Sequence, residues 1–219
     1  MHARTVIEFI GLPGSGKSTV AHMLAMTEGR TACVHDASHA YFPESALDSV
    51  RRVGMSETLE TLRLWGPSTL LRLGQTPAGR RLLVKALRYR AAIAEFTGVV
   101  ILDEGPAHAA LVAEFEGGIA GRRRDVGRIV TQSDVFVHVL VAPSVARERL
   151  RARKDQPSQV AAMLASAELS SDAWKDLITS QEWLLRFISK ERPVIEVVND
   201  DPWELDEVVQ RASGGLGWS

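Results

Sequence analysis

The sequence predicts an α/β fold built on a parallel β-sheet, and three observations carry that expectation. Five short runs, residues 5–10, 31–35, 98–102, 135–142 and 194–198, are apolar almost without interruption. Strands with one wet face alternate apolar and polar residues, whereas near-continuous apolar strands are covered on both faces, the habit of parallel sheets. Stretches with helical spacing of apolar residues separate the runs, so the order reads β-α-β-α-β. The first run, moreover, leads into Gly11-Leu12-Pro13-Gly14-Ser15-Gly16-Lys17-Ser18-Thr19, which has the spacing G-x-x-x-x-G-K-[ST] between a strand and a helix.

That loop is the centre of the chemistry. Its glycines let backbone N–H groups turn inward around an anion, where side chains would obstruct them. Gly11, Pro13, Gly14, Ser15, Gly16, Lys17, Ser18 and Thr19 are the residues expected to hold the phosphates of a nucleoside triphosphate. Lys17 can reach the β- and γ-phosphates, Ser18 can ligate Mg²⁺, and the following helix offers its positive N-terminus.

The totals set outer limits. At 219 residues the chain is long enough for one sizeable domain, with helical insertions at 44–97 and 147–190. Its formal net charge of -1 argues against a general nucleic-acid binder. The one cysteine, Cys33, lies in an apolar run and excludes an internal disulfide. No stretch reaches the roughly 20 apolar residues of a membrane span, and the first strand begins too early for a secretory leader. A cytoplasmic setting is the expectation.

Between the second and third runs the helical signals are strong. Gly66-Pro67 breaks a stretch that carries Leu59 and Leu62, and Thr76-Pro77 is a cap with a first-turn proline. Leu82, Ala86, Tyr89, Ile93 and Phe96 then form an apolar stripe. Residues 51–90 hold nine basic residues (Arg51, Arg52, Arg63, Arg72, Arg80, Arg81, Lys85, Arg88, Arg90) against two acids, Glu57 and Glu60. Solvated helix faces, an anionic substrate or a partner protein each accommodate that excess. Further on, Ser171 or Asp172 can cap a helix whose inner face is Trp174, Leu177, Ile178, Leu185 and Ile188. Asp201-Pro202-Trp203-Glu204 opens a last helix facing inward with Leu205, Val208 and Val209, and the residues from Gly214 onward read as a loose tail, although Trp218 can dock.

Ligands of open parallel sheets bind beyond the carboxyl ends of the strands. There the sequence places His35-Asp36, Asp103-Glu104-Gly105, Ala142-Pro143 and Asn199-Asp200-Asp201. Val99-Val100-Ile101-Leu102-Asp103 is an apolar strand ending in a carboxylate, so Asp103 is expected to hold Mg²⁺ opposite Ser18. Glu104 can act as general base, contact substrate or face solvent. Asp36 can take a proton from a substrate hydroxyl, bind the substrate, or simply cap a turn. After the fourth run, Arg149 and Arg153 share one helix face, and Arg147 and Arg151 share another turned away from it. The histidines His22, His35, His39, His108 and His138 show no metal-ligand spacing, and His138, in mid-strand, reads as a satisfied core histidine.

The loop at 11–19, Asp103 at a strand end, and the strand 136–141 leading through Pro143 to Arg149-Leu150-x-x-Arg153 resemble the P-loop nucleoside and nucleotide kinases, a group that includes adenylate, thymidylate and deoxynucleoside kinases. The resemblance implies a P-loop NTPase three-layer sandwich with sheet order 2-3-1-4-5 and helical acceptor and lid insertions. It implies that Arg149 and Arg153 are lid arginines, and that Asn199 and Asp200 lie beside the adenine. The Asp-Arg or Glu-Arg pair of many members is absent from Asp103-Glu104-Gly105-Pro106-Ala107-His108. The expected activity is Mg·ATP-dependent transfer of phosphate to a small molecule, a nucleoside, nucleotide or other hydroxyl-bearing metabolite, with Asp36 or Glu104 orienting the acceptor. The alternative is an NTPase that drives or switches a protein partner, for which Asp103-Glu104 is the best support.

Overall fold

Strands β1 (Thr5–Ile10), β2 (Thr31–Val34), β3 (Val99–Leu102), β4 (Val135–Leu140) and β5 (Val194–Val198) form one sheet in the order β2-β3-β1-β4-β5, and every pairing is parallel. The helices are α1 (Lys17–Thr27), α2 (Met55–Trp65), α3 (Pro67–Gly74), α4 (Pro77–Ala94), α5 (Pro106–Phe115), α6 (Arg123–Val130), α7 (Pro143–Ala152), α8 (Ser171–Ile188) and α9 (Leu205–Gly215). The structure, a computed structural model, describes residues 4–27, 31–34, 55–94, 98–115, 123–130, 132–152, 171–201 and 205–217. Arg51, Arg52, His35, Asp36, His39, Phe96, Arg153, residues 202–204 and Trp218 lie outside these, and of Cys33 only the backbone is described.

The central strand β1 shows how the sheet is covered. Its side chains alternate between faces. Ile7 and Phe9 pack with Val20 and Leu24 of α1 and Val208 and Ala212 of α9. Ile10 faces the other way, into the cluster built by α4, α5, α6 and α8 around Leu82, Leu111, Ile129 and Trp174. Both faces of the middle strands are therefore dry. The edge strand β5 departs from that expectation: it has one neighbour, and Val198 is 46% exposed. Strand β4 stops at Leu140 rather than at 142. The Asn199 amide takes the Leu140 carbonyl at 2.8 Å, and the Ala142 amide turns to the Asp200 carboxylate at 2.7 Å.

Local sequence explains the helix boundaries on the α4 side. The Thr76 hydroxyl accepts from the Gly79 amide at 3.1 Å, Pro77 opens α4, and Leu82, Ala86, Tyr89 and Ile93 are buried along its length. Gly66, at φ +79°, separates α2 from α3. The inner face of α2 is Thr58, Thr61 and Trp65, while Leu59 is exposed and Leu62 only partly covered. Helix α3 docks on α6 through Asp125, which accepts from Arg72 Nε and Nη2, both at 2.8 Å, and from the Thr69 hydroxyl at 2.9 Å. Burial opposes the charge of that carboxylate, but Arg72 and Thr69 outweigh it and hold Asp125 below the usual range. The positive charge of Arg72, counted above among the nine, is thus paired with a buried carboxylate while the side chain itself stays half exposed.

The C-terminal stretch also differs from expectation. Helix α9 continues through Gly214 and Gly215, and Gly215 fits against Ile195, whose Cγ2 lies 2.7 Å from where a Cβ would sit. Leu216 packs on the same cluster. Among the described residues, no helix is long and apolar enough to cross a membrane.

The burial pattern separates two substitutions. Phe9→Ala, at a fully buried position, is expected to lower unfolding free energy by about 3–5 kcal/mol. Leu64→Ala, 68% exposed, is expected to change it by less than about 0.5 kcal/mol. Urea denaturation of both variants checks the pair.

Candidate functional site

Residues 11–16 leave the end of β1 and reach α1 in a single tight turn. Gly14 and Gly16 have φ of +85° and +86°, a region that side-chain-bearing residues rarely adopt. Space matters as much as torsion. A Cβ on Gly11 would meet the Val139 carbonyl at 2.6 Å, one on Gly14 would strike the Ala146 carbonyl, and one on Gly16 would strike the Asn199 carboxamide. The Ser15 amide closes the turn on the Leu12 carbonyl at 3.0 Å, and the Val20 amide begins the helix on the Gly16 carbonyl at 3.0 Å. The first amides of a helix have no partner within it and suit an anion.

Within this turn Lys17 is buried and donates to the Leu12 carbonyl at 3.3 Å. The Ser15 hydroxyl is buried with no hydrogen-bond partner among the described residues. A buried donor without a partner is costly, and a ligand oxygen would supply one. Pro13 is buried, Ser18 half-buried and Thr19 exposed.

Asp103 lies directly after β3, the neighbour of β1, and is 3% exposed. Glu104 follows, its Oε1 3.6 Å from Nε2 of His108 on the first turn of α5. Burial lowers the pKa of His108, Glu104 opposes that, and Lys17 and Lys85 add to it. Lys17, Lys85, Asp103, Glu104 and His108 are therefore one electrostatic group, with the imidazole neutral at pH 7. Of the cations of 51–90, Lys85 contributes its charge to this group.

Three residues assigned from resemblance have hydrogen-bond partners in the structure. The Asn199 carboxamide donates to the Ser15 carbonyl at 2.7 Å, across the space that Gly16 leaves open. It braces the loop backbone. Arg149 donates to the carbonyls of Asn199 at 2.8 Å and Asp200 at 3.2 Å, so its guanidinium straps the segment after β5. Asp200, placed beside the adenine, accepts from the Ala142 amide. Asp36 and Arg153, the remaining members of the expected set, lie outside the described residues.

Glu8 was not among the expected site residues, yet it supports the site from below. Fully buried on β1, its Oε1 accepts from the amides of Ala107 at 2.7 Å and His108 at 3.3 Å, and its Oε2 from the Ser133 hydroxyl at 2.9 Å. A carboxylate at the N-terminus of α5 satisfies donors that the helix cannot pair itself. Gly105 has no Cβ because one would collide with the Glu8 carboxyl. Burial pushes the Glu8 pKa up to about 7, against these hydrogen bonds. The available signal was a lone acid inside an otherwise apolar strand. His138 is satisfied as expected, against Gln181 at 2.7 Å and Glu196 at 3.4 Å.

No protein-family model matches the chain, and no curated protein matches it either. Its fold does match solved structures. A shikimate kinase from Bacteroides thetaiotaomicron is 21% identical, with a TM-score of 0.51 over 97% of this chain and 98% of that one. A deoxyadenosine kinase from M. mycoides with bound dATP is 13% identical, with a TM-score of 0.57 over 96% of this chain and all of that one. A shikimate kinase from Acinetobacter baumannii in complex with shikimate is 13% identical, with a TM-score of 0.51 over 99% and 95%. The chain has the α/β fold of the P-loop nucleotide and nucleoside kinase-like proteins.

Glu8 makes stability depend on pH. Its folded pKa of about 7 lies above the ordinary value of 4.5, so the folded state binds the proton more tightly. The stabilisation is complete below about pH 4.5 and is lost as pH rises toward 7. Glu8→Gln keeps the acceptor and donor of the protonated acid. The denaturant midpoint of wild type minus that of Glu8→Gln is expected to fall through this window and stay flat above it.

Proposed function

We propose that the chain is an ATP- and Mg²⁺-dependent phosphotransferase acting on the hydroxyl of a small molecule, a nucleoside, a nucleotide or a similar metabolite. The observation that carries this reading is the loop at 11–17. Its two glycines at positive φ, the buried Lys17 and the unpartnered Ser15 hydroxyl form a polyanion receptor beside Asp103. The fold supports it, since the matched structures are kinases, and they act on unlike acceptors, so the fold by itself does not choose among acceptors.

In this reading the amides of the loop and Lys17 hold the triphosphate with its terminal group toward Asp103 and Glu104. Ser18, in the first turn of α1, and Asp103, directly after β3, are of the oxygen-donor type that suits a hard cation keeping most of its waters, and Mg²⁺ held there would neutralise charge on the phosphate oxygens. The acceptor oxygen attacks the γ-phosphorus, the bridge to the β-phosphate breaks, and ADP leaves. A carboxylate, Glu104 or Asp36, receives the hydroxyl proton. Helices α2 to α4 form the acceptor side, and α7 with the residues after it forms the lid, the chain acting as one domain. Positioning and charge neutralisation supply nearly all the catalysis in this chemistry, so water must be excluded before transfer.

The neighbouring acids Asp103 and Glu104 favour a second reading, an NTPase that uses Glu104 to polarise water. One assay separates the two: ADP release from Mg·ATP with and without a panel of nucleosides, nucleotides and hydroxy acids, with Lys17→Ala as the blank. Acceptor-dependent release with label on the acceptor is expected, and Lys17→Ala is expected to reduce it by about 10²-fold or more. Equal release without any acceptor overturns the kinase reading in favour of the NTPase.

A further inference from the structure

The peptide unit between Ser15 and Gly16 is held at one end. Its carbonyl accepts from the Asn199 carboxamide at 2.7 Å, while its N–H, that of Gly16, meets no acceptor among the described residues. The neighbouring groups of the turn are already used, the Ser15 amide by the Leu12 carbonyl and the Gly16 carbonyl by the Val20 amide. A trans peptide is flat, and its N–H points opposite to its C=O. A carbonyl drawn toward Asn199 therefore aims the Gly16 N–H away from Asn199, across the turn. The carboxamide stands where a Gly16 Cβ would have to go, so only glycine lets it come this close. Without that bond the peptide could turn over at little steric cost, because glycine accepts both signs of φ.

Asn199 is itself fixed on three sides. Its amide takes the Leu140 carbonyl at 2.8 Å, and its own carbonyl accepts from Arg149 Nη1 at 2.8 Å. Asp200, next along, accepts from the Ala142 amide at 2.7 Å. The main chain beneath the carboxamide is thus tied to β4, to the residues after it and to α7. Asn199 is 3% exposed, and its Oδ1 is buried with no hydrogen-bond partner among the described residues. An unsatisfied buried acceptor works against stability, and a small apolar side chain would avoid it. Packing alone does not account for an asparagine here, whereas the bond to the turn does.

Resting on the nucleotide-binding reading above, we propose that Asn199 is a positioning residue: by holding the Ser15 carbonyl it points the Gly16 N–H at the phosphates of the bound nucleotide. The group that meets the anion is a backbone amide, and the side chain that aims it lies 184 positions away. Its influence falls on phosphate binding and is independent of the base.

The test titrates the full chain, in Mg²⁺, with the non-hydrolysable triphosphate AMP-PNP and with inorganic pyrophosphate, and follows the Gly16 amide by NMR. Asn199→Ala removes the donor, and Asn199→Asp keeps the shape while turning an acceptor toward the Ser15 carbonyl. Both are expected to weaken the two ligands by the same factor, about tenfold. In wild type either ligand is expected to move the Gly16 amide proton downfield, as a hydrogen bond to an anion does, and in the variants that shift is expected to shrink at saturation. Weakening of AMP-PNP with pyrophosphate unchanged would mean that Asn199 meets the base, and overturns the proposal. A full Gly16 shift in either variant, or a lowered melting temperature with both affinities kept, overturns it too. Should the variants not fold, wild type still decides, since pyrophosphate binding without a Gly16 shift is equally fatal. These outcomes leave the kinase reading standing, whereas a wild-type chain that binds neither ligand sinks both.

Discussion

The backbone of residues 11–16 can face an anion only because other parts of the chain press against its outer side. Val139, Ala146 and Asn199 occupy the volumes that side chains at Gly11, Gly14 and Gly16 would need. These contacts come from β4, α7 and the loop after β5, elements scattered along the chain that meet because the sheet order brings β4 and β5 to one side of β1. The Asn199 carboxamide adds a directed bond to the Ser15 carbonyl. Arg149 then ties the end of β5 to α7, so loop, strand end and helix brace one another. The amides are preorganised by this arrangement, and preorganised dipoles stabilise charge without reorganising when it develops.

On the opposite side of β1 the constraint is electrostatic. Glu8 is the acid beneath α5, and it holds the first turn of that helix where His108 can approach Glu104. Neutral His108, buried beside Lys17, Lys85 and two carboxylates, separates groups of opposite sign. Three hydrogen bonds offset only part of the cost of burying a charged Glu8, and they satisfy amides at the start of the helix.

Features set by near neighbours were legible in the sequence. The loop spacing, the acid after β3, the Thr76-Pro77 start of α4 and the break at Gly66-Pro67 all depend on residues a few positions apart, and each stands in the structure where the pattern put it. Contacts between distant residues were not. The partner of Asn199 lies 184 positions away, and those of Glu8 lie up to 125 away. Spacing on α7 told which arginines share a face but not what each reaches, and the two carbonyls that Arg149 holds lie some fifty positions away. Leu59 was named with its helix, but the inward face of α2 is two threonines and a tryptophan, since docking on neighbouring helices overrode simple hydrophobicity.

The bonds that Glu8 makes to α5 end on peptide amides, not on side chains. The side chains at 107 and 108 take no part in the cap. Positions 8, 105 and 133 do, because the carboxyl needs the space left by Gly105 and the hydroxyl of Ser133. A substitution at one of these three disturbs what the other two are built around.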